Sequence, residues 1–365
     1  MSGIVGDNID DRSGVVKASA GGATVSSSDP AVDTNPADGV GTQWANSTSG
    51  EFFVCTDATT DENVWTNVGA GTGDVAPWTY QGTQYGYMAG GQRPSIFDII
   101  DKFTFASDAD ATDVGNLTVA RYETTGHSAA DYGFASGGNT GSVSDVIDKW
   151  ATASDADATD VGNLTAARKF AGCSTSSTHG YKAGGNTGSF SDVIDKFAKA
   201  SIGNATNVGD TIVATTEFSG GQNSDSYGYL CGGYVPPSYT FSNMIQKYSF
   251  SVDADSTDVG NLSVTRERMS GQSSLTYGYN SGGTESPYLD VIDKFAFASD
   301  GDATDVGNIT GSRNTTAGQS STTYGYVCGG YPMSDIEKFA FASDGNAADV
   351  ADLTTQRRSA AGAQY

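Results

Sequence analysis

Three carboxylates recur at fixed spacing in the segment SDADATDVGN, first at 107–116 and again at 154–163. The variants VDADSTDVGN (252–261) and SDGDATDVGN (299–308) keep all three. Closely spaced hard oxygen donors are what a Ca²⁺ loop supplies. The bidentate Glu that closes such a loop at its twelfth position is missing, however. The third copy, IGNATNVGD (202–210), has none of the three acids, and the sixth, SDGNAADVAD (343–352), has lost one Asp and its Thr. A structural ion needed by every copy would not desert one of them, so no metal is expected. The acids read instead as capping groups of tight turns.

Catalysis needs a group that occurs once, and the two histidines are the obvious singletons. His127 stands where AGQSS-type segments carry Gln272 and Gln319, and His179 replaces the Tyr of a recurrent aromatic-Gly-aromatic step. Neither brings an unmatched carboxylate or Cys into register. No catalytic residue is therefore assigned, no cofactor is expected, and the chain is not read as an enzyme. The four cysteines, Cys55, Cys173, Cys231 and Cys328, are too few and too scattered for a disulfide framework or a zinc cluster, and read as small buried hydrophobes.

Binding chemistry is concentrated elsewhere. Arg93, Tyr234, Tyr239, Phe241, Tyr288 and Tyr331 fall in stretches whose length varies between copies of a repeat. Aromatic and Arg side chains suit stacking on a sugar face or contact with a protein. Variable loops on a rigid scaffold are where recognition usually resides.

The scaffold is legible as that repeat. Gly-Gly pairs begin at Gly90, Gly137, Gly184, Gly232, Gly282 and Gly329, at intervals of 47, 47, 48, 50 and 47 residues. An aromatic-Gly-aromatic step precedes each pair (His179 varies it once), and a Lys-aromatic dipeptide follows. Nineteen residues beyond each Lys comes Arg121, Arg168, Thr215, Arg266, Arg313 or Arg357. These repeat-locked cations are expected to neutralise neighbouring acids, Asp101, Asp148, Asp195 and Asp293. Within one copy, 315–321, 322–330, 334–343 and the run ADVADLT at 348–354 read as four strands bounded by Gly, Asp and Ser. The first strand is nearly all Gly, Ala, Ser and Thr, whereas the third is rich in aromatics. Sheets around an axis crowd at the centre and splay outside, so interior packing density demands that gradient.

The order Arg, small strand, apolar strand ending in Gly-Gly, aromatic strand resembles kelch-type repeats, whose period is near 50. The resemblance covers about four-fifths of the chain, from Trp78 onwards, and implies an all-β fold, a six-bladed β-propeller. Val114, Val161, Val208, Val259, Val306 and Val350 replace the Trp usual in the last kelch strand, which marks a divergent branch. The first copy lacks an inner strand, while RSAAGAQY at the carboxy end forms an inner strand with no successor. Residues 359–365 are therefore expected to pair with the strand at 85–88 and to close the ring, removing two exposed sheet edges.

Composition narrows the partners. With 19 basic and 43 acidic side chains the net charge is −24, which repels phosphate backbones and anionic membranes. No run of 18 apolar residues is present, so membrane insertion is not expected. Residues 1–40 are polar and Gly/Ser-rich at their start and read as an extended attachment segment, ordered against a partner. Residues 41–77 contain three strand-like runs and a flexible joint, GAGTGDVAP at 69–77, leaving 78–365 for the propeller. Three such strands are marginal alone, which suggests a homo-oligomer.

The pattern from Trp44 to Trp65, W-x-N-(x)-T-S-G-E-x-F-V-C-T-D-A-T…W, is similar to small β modules of phage tail-fibre and appendage proteins. The opening SGIVG and the SDADATDVGNLT repeats resemble structural proteins of marine tailed bacteriophages with kelch-like heads. That resemblance implies a virion protein, trimeric by analogy, joined to other virion proteins through residues 1–77. Its propeller would bind a host-surface glycan or protein. A purely architectural role and a glycan-degrading tailspike are the competing expectations.

Overall fold

The computed structural model describes residues 22–68, 79–217 and 221–365. These residues form strands, turns and loops and no helix; the protein is all-β. The chain divides into two compact units, with the boundary between Trp78 and Thr79.

In the first unit, strands Thr24–Ser26, Gln43–Asn46, Phe52–Asp57 and Val64–Asn67 form one sheet in chain order. The last three are the runs expected from the sequence. Thr24–Ser26 lies inside the stretch read as a separate extended segment, yet it pairs in parallel with Gln43–Asn46. Polar side chains of the module explain this: Trp44 Nε1 donates to the Ser28 carbonyl at 2.9 Å, and Asn63 Nδ2 donates to the Val32 carbonyl at 2.8 Å. Phe53, Cys55 and Trp65 form the core, with Trp44 edge-on to Trp65 at 6.0 Å. Residues 1–21 of the expected attachment segment and the joint at 69–77 lie outside the described residues.

Among its described residues the second unit contains six four-stranded antiparallel sheets and one short hairpin. The sequence-derived strands of the last copy appear as Ala317–Ser320, Tyr324–Cys328, Asp335–Ala340 and Ala348–Asp352. The first sheet takes its inner strand from the end of the chain: Ala361–Gln364 runs antiparallel to Tyr85–Ala89, with Ala361 opposite Ala89. Each inner strand touches the next in chain order, and Ala361–Gln364 touches both Ala317–Ser320 and Thr125–Ser128.

Small side chains on these strands are a steric requirement. A Cβ on Gly126 would lie 1.9 Å from the Gly362 carbonyl oxygen, and one on Gly318 would lie 2.2 Å from that of Gly271. Farther out, aromatics fill the widening gaps: Phe105 stacks on Tyr326, Phe250 on Tyr181, and Phe297 on Tyr229, at 4.8–5.0 Å.

Buried ion pairs join neighbouring sheets. Arg121 meets Asp148 at 3.0 Å, Arg168 meets Asp195 at 2.6 Å, Arg266 meets Asp293 at 2.8 Å, and Arg357 meets Asp101 at 3.2 Å. A Glu serves in the remaining pair, Arg313–Glu337 at 2.6 Å. Each carboxylate also accepts from a Thr or Ser at the end of the preceding sheet, as Asp101 does from Thr354 N at 3.0 Å and Oγ1 at 2.6 Å. Where Thr215 replaces the Arg, Gln246 replaces the acid and accepts from Ile212 N at 3.0 Å. The two exchanges compensate, because an unpaired charge would otherwise be buried.

The repeat lysines do not share this task. Lys102, Lys196, Lys247, Lys294 and Lys338 pair with Asp155, Asp253, Asp300, Asp344 and Asp108, each in the acidic turn of the following sheet. A second acid of the turn caps the backbone of the preceding sheet, as Asp157 does for Asn116 N at 2.9 Å. In the third copy, Ile202 occupies the lysine-binding position and is 80% exposed, so Lys149 lies over the Tyr132 ring instead, at 3.5 Å. The turns are therefore bonded across sheets rather than only to themselves.

Two outcomes follow from this packing. Gln246→Asp alone leaves a buried unpaired carboxylate and should cost about 3–5 kcal/mol, whereas adding Thr215→Arg should restore most of it; urea unfolding of the single and double variants measures both. Removing residues 359–365 strips the first sheet of its inner strand and should yield insoluble chain, while a soluble product with unchanged melting temperature would contradict the pairing.

Candidate functional site

The inner strands line one cavity; the end at which they begin is here the mouth, and the other the floor. Two residues after each repeat Arg or its Thr replacement, the backbone turns left-handed, at Glu123, Phe170, Glu217, Arg268, Thr315 and Ser359, with φ from 54 to 62°. Non-glycine residues in this region cost on the order of 1 kcal/mol each. A cycle of hydrogen bonds holds them: Glu217 N donates to Phe170 O at 2.7 Å, Arg268 to Glu217 at 3.0 Å, Thr315 to Arg268 at 2.9 Å, and Ser359 to Thr315 at 2.8 Å. Glu123 N donates to Ser359 O at 2.7 Å, and Phe170 N to Glu123 O at 3.4 Å, which returns the cycle to its start. Like backbones thus present unlike side chains at the mouth. Sequence reasoning missed this ring, because residue types that share only a dihedral angle leave no pattern.

Below the mouth lies a cavity of about 120 Å³, lined by small and hydroxyl-bearing residues such as Thr125, Ser174, Ser273 and Ser320. Tyr80 forms its floor, with its hydroxyl donating to the Ser274 carbonyl. Gln81 Nε2 donates to Ser321 O at 3.0 Å and Gln364 Nε2 to Tyr80 O at 2.5 Å, so the chain enters this unit on the floor side. The volume falls well below the roughly 300 Å³ at which ligand pockets begin.

At the mouth, Arg268 clamps Glu217 through two bonds of 2.6 and 2.8 Å, and Lys169 meets Glu123 at 3.1 Å. Burial and the Glu217 carboxyl beside it push Glu267 up to about 8. Arg268 Nε lies 2.6 Å from Glu217 Oε2 and 3.4 Å from Glu267 Oε1, so the two carboxyls share one guanidinium.

Singletons among the described residues also sit inside the sheets. His127 is buried, with Nε2 2.9 Å from Ser136 Oγ and Nδ1 3.2 Å from Ser174 O, and burial followed by the nearby Lys182 charge lowers it to about 3. Lys182 donates to Thr125 Oγ1 at 2.7 Å and Ser136 O at 2.9 Å, and Lys199 to Ser128 O at 2.8 Å; burial lowers each to about 7. Neither ammonium lines the cavity. The sequence signal for them was available: Lys199 falls in the column of Phe105, Phe250, Phe297 and Phe341, and Lys182 in that of Leu230 and Val327. All four cysteines are buried, and none is in a disulfide among the described residues.

The expected ligand residues lie on the loops around the mouth. Tyr234, Tyr239 and Phe241 belong together: the ring centres of Tyr239 and Phe241 lie 5.9 and 5.8 Å from that of Tyr234, and Phe190 joins at 5.9 Å from Tyr239. Tyr239 is 58% exposed. The hairpin Tyr234–Val235 and Thr240–Phe241 carries the group and accounts for the longest of the variable loops. Arg93 lies over Tyr331 at 4.8 Å, and Arg358, which the sequence reading did not single out, joins them at 5.6 Å. Tyr288 is exposed and has no aromatic neighbour among the described contacts.

No protein-family model matches the chain, and no curated protein matches it in sequence.

His127→Gln substitutes the residue used at Gln222, Gln272 and Gln319 and should preserve the fold. Between the unfolded value near 6.5 and the folded value of about 3, only the unfolded chain binds the imidazole proton, so His127 lowers stability as pH falls through that window. Denaturation from pH 7 to 4 should show a smaller loss for the variant than for the parent.

Proposed function

We propose that the second unit is a closed, six-bladed, kelch-like β-propeller, and that the protein is a non-enzymatic virion structural protein of a tailed phage. In this reading it belongs to a tail fibre or particle appendage, and its loop face binds a host-surface glycan or protein. Support for closure comes from the cyclic hydrogen bonds at the mouth and from the shared first sheet, in which the two ends of the unit pair. The observation that carries the binding role is the placement of unlike, partly exposed aromatic and Arg side chains on a repeated backbone, in loops at one end of the axis.

The remainder of the reading draws on the sequence resemblance to phage appendage proteins. Residues 1–77 would attach to other virion proteins in a homo-oligomer, with a trimer the expected symmetry. Because the chain enters the second unit at the floor, the loop face is directed away from the point of entry. Many weakly binding heads on one particle would gain strength through avidity. The Lys182 and Lys199 ammonium groups, buried and outside the cavity lining, support binding without chemistry.

The purified protein should bind intact cells of a susceptible host and compete with infection, and it should release no oligosaccharide from the polysaccharide of those cells. Absence of cell binding would favour the purely architectural role, whereas released product would favour a glycan-degrading one.

A further inference from the structure

We propose that Arg93 and Arg358, gathered at the Tyr331 ring, form a subsite for the anionic group of a saccharide, a uronate carboxylate or a sulfate ester. This rests on the loop face being a glycan-binding surface and specifies which class of glycan it takes.

The argument begins from charge. In a chain of net charge −24, carboxylates are plentiful, and six described arginines, Arg121, Arg168, Arg266, Arg268, Arg313 and Arg357, lie within 4.0 Å of one. Arg93 and Arg358 form no such pair among the described residues. They nevertheless converge, with guanidinium carbons 4.8 and 5.6 Å from the centre of one tyrosine ring. Three separate stretches bring them there. Gln92 N donates to Arg358 O at 3.0 Å, and Tyr331 N donates to Asn314 O at 3.3 Å, fixing the backbone beneath each side chain.

Like charges brought together without a counterion repel, and the ring quadrupole offsets only part of that. Arg93 and Arg358 are both partly exposed, so a ligand can reach them. Guanidinium forks match planar or tetrahedral oxyanions through paired N–H donors, so the missing partner is a carboxylate or sulfate. Tyr331, 41% exposed, keeps the cluster open to a ligand. The net charge of −24 disfavours densely charged polyphosphate chains more than a glycan with at most one charge per sugar.

Titration of the full chain with tetragalacturonate, a sulfated galactan tetrasaccharide, neutral galactotetraose and a tetraglutamate peptide tests this. One or both acidic saccharides should bind, more weakly as salt rises, and Arg93→Gln or Arg358→Gln should each weaken binding by about tenfold or more. Lys247→Gln, the same change of charge in a lysine paired with Asp300 away from these loops, should leave it intact. Equal binding of the neutral saccharide, or acidic-saccharide binding untouched by the Arg variants, would overturn the anion subsite while sparing the glycan reading. Preference for the peptide would overturn the saccharide assignment, and binding of none of the four probes would remove the subsite whether or not the protein still bound cells.

Discussion

Backbone contact between inner strands is the constraint on which the second unit depends. At Gly126 and Gly318 the neighbouring carbonyl oxygen occupies the space a Cβ would need, so nothing larger fits at these positions. Strands that touch at one edge must diverge at the other, and the Phe–Tyr stacks between sheets fill the wedge that opens. Buried Arg–carboxylate pairs then tie neighbouring sheets at five of six junctions, and Lys–Asp pairs at the turns do so at five. The buried pairs need not add much net stability; what they do is make the wrong neighbour costly, since a single unmatched charge would stay buried. The Thr215–Gln246 exchange shows that rule operating within one molecule.

How far sequence reached depends on whether a feature is written in residue type. The strands, their order within each sheet and the pairing of Ala361–Gln364 with Tyr85–Ala89 were legible, because small, aromatic and Gly-Gly positions recur in register. Arg–Asp pairing was legible as well, although Glu337 and Gln246 were overlooked as members of the same column. The partners of the acidic turns were not, since Asp155 meets Lys102 and Asp157 meets Asn116 only after two sheets pack together. The ring at the mouth was invisible for a different reason. Glu123, Phe170, Glu217, Arg268, Thr315 and Ser359 share a strained backbone and a hydrogen-bond cycle, not a chemistry. In the first unit, Thr24–Ser26 escaped notice because a three-residue edge strand carries too little pattern to read.

Departures from the repeat separate into two kinds. His127, Lys182 and Lys199 lie inside the sheets, bonded to hydroxyls and carbonyls, and their depressed protonation reflects burial. The aromatic group around Tyr234 and the Arg93–Tyr331–Arg358 group are exposed on loops whose lengths differ. Symmetry-breaking inside such a scaffold adjusts packing, whereas symmetry-breaking on its rim is open to a partner.

Amide hydrogen exchange on the peptide spanning 359–365 tests the account most directly. Pairing of Ala361–Gln364 with Tyr85–Ala89 predicts that these amides exchange as slowly as those of 85–89, and only through global unfolding. Exchange at the rate of an unstructured peptide, while 85–89 stays protected, would contradict it.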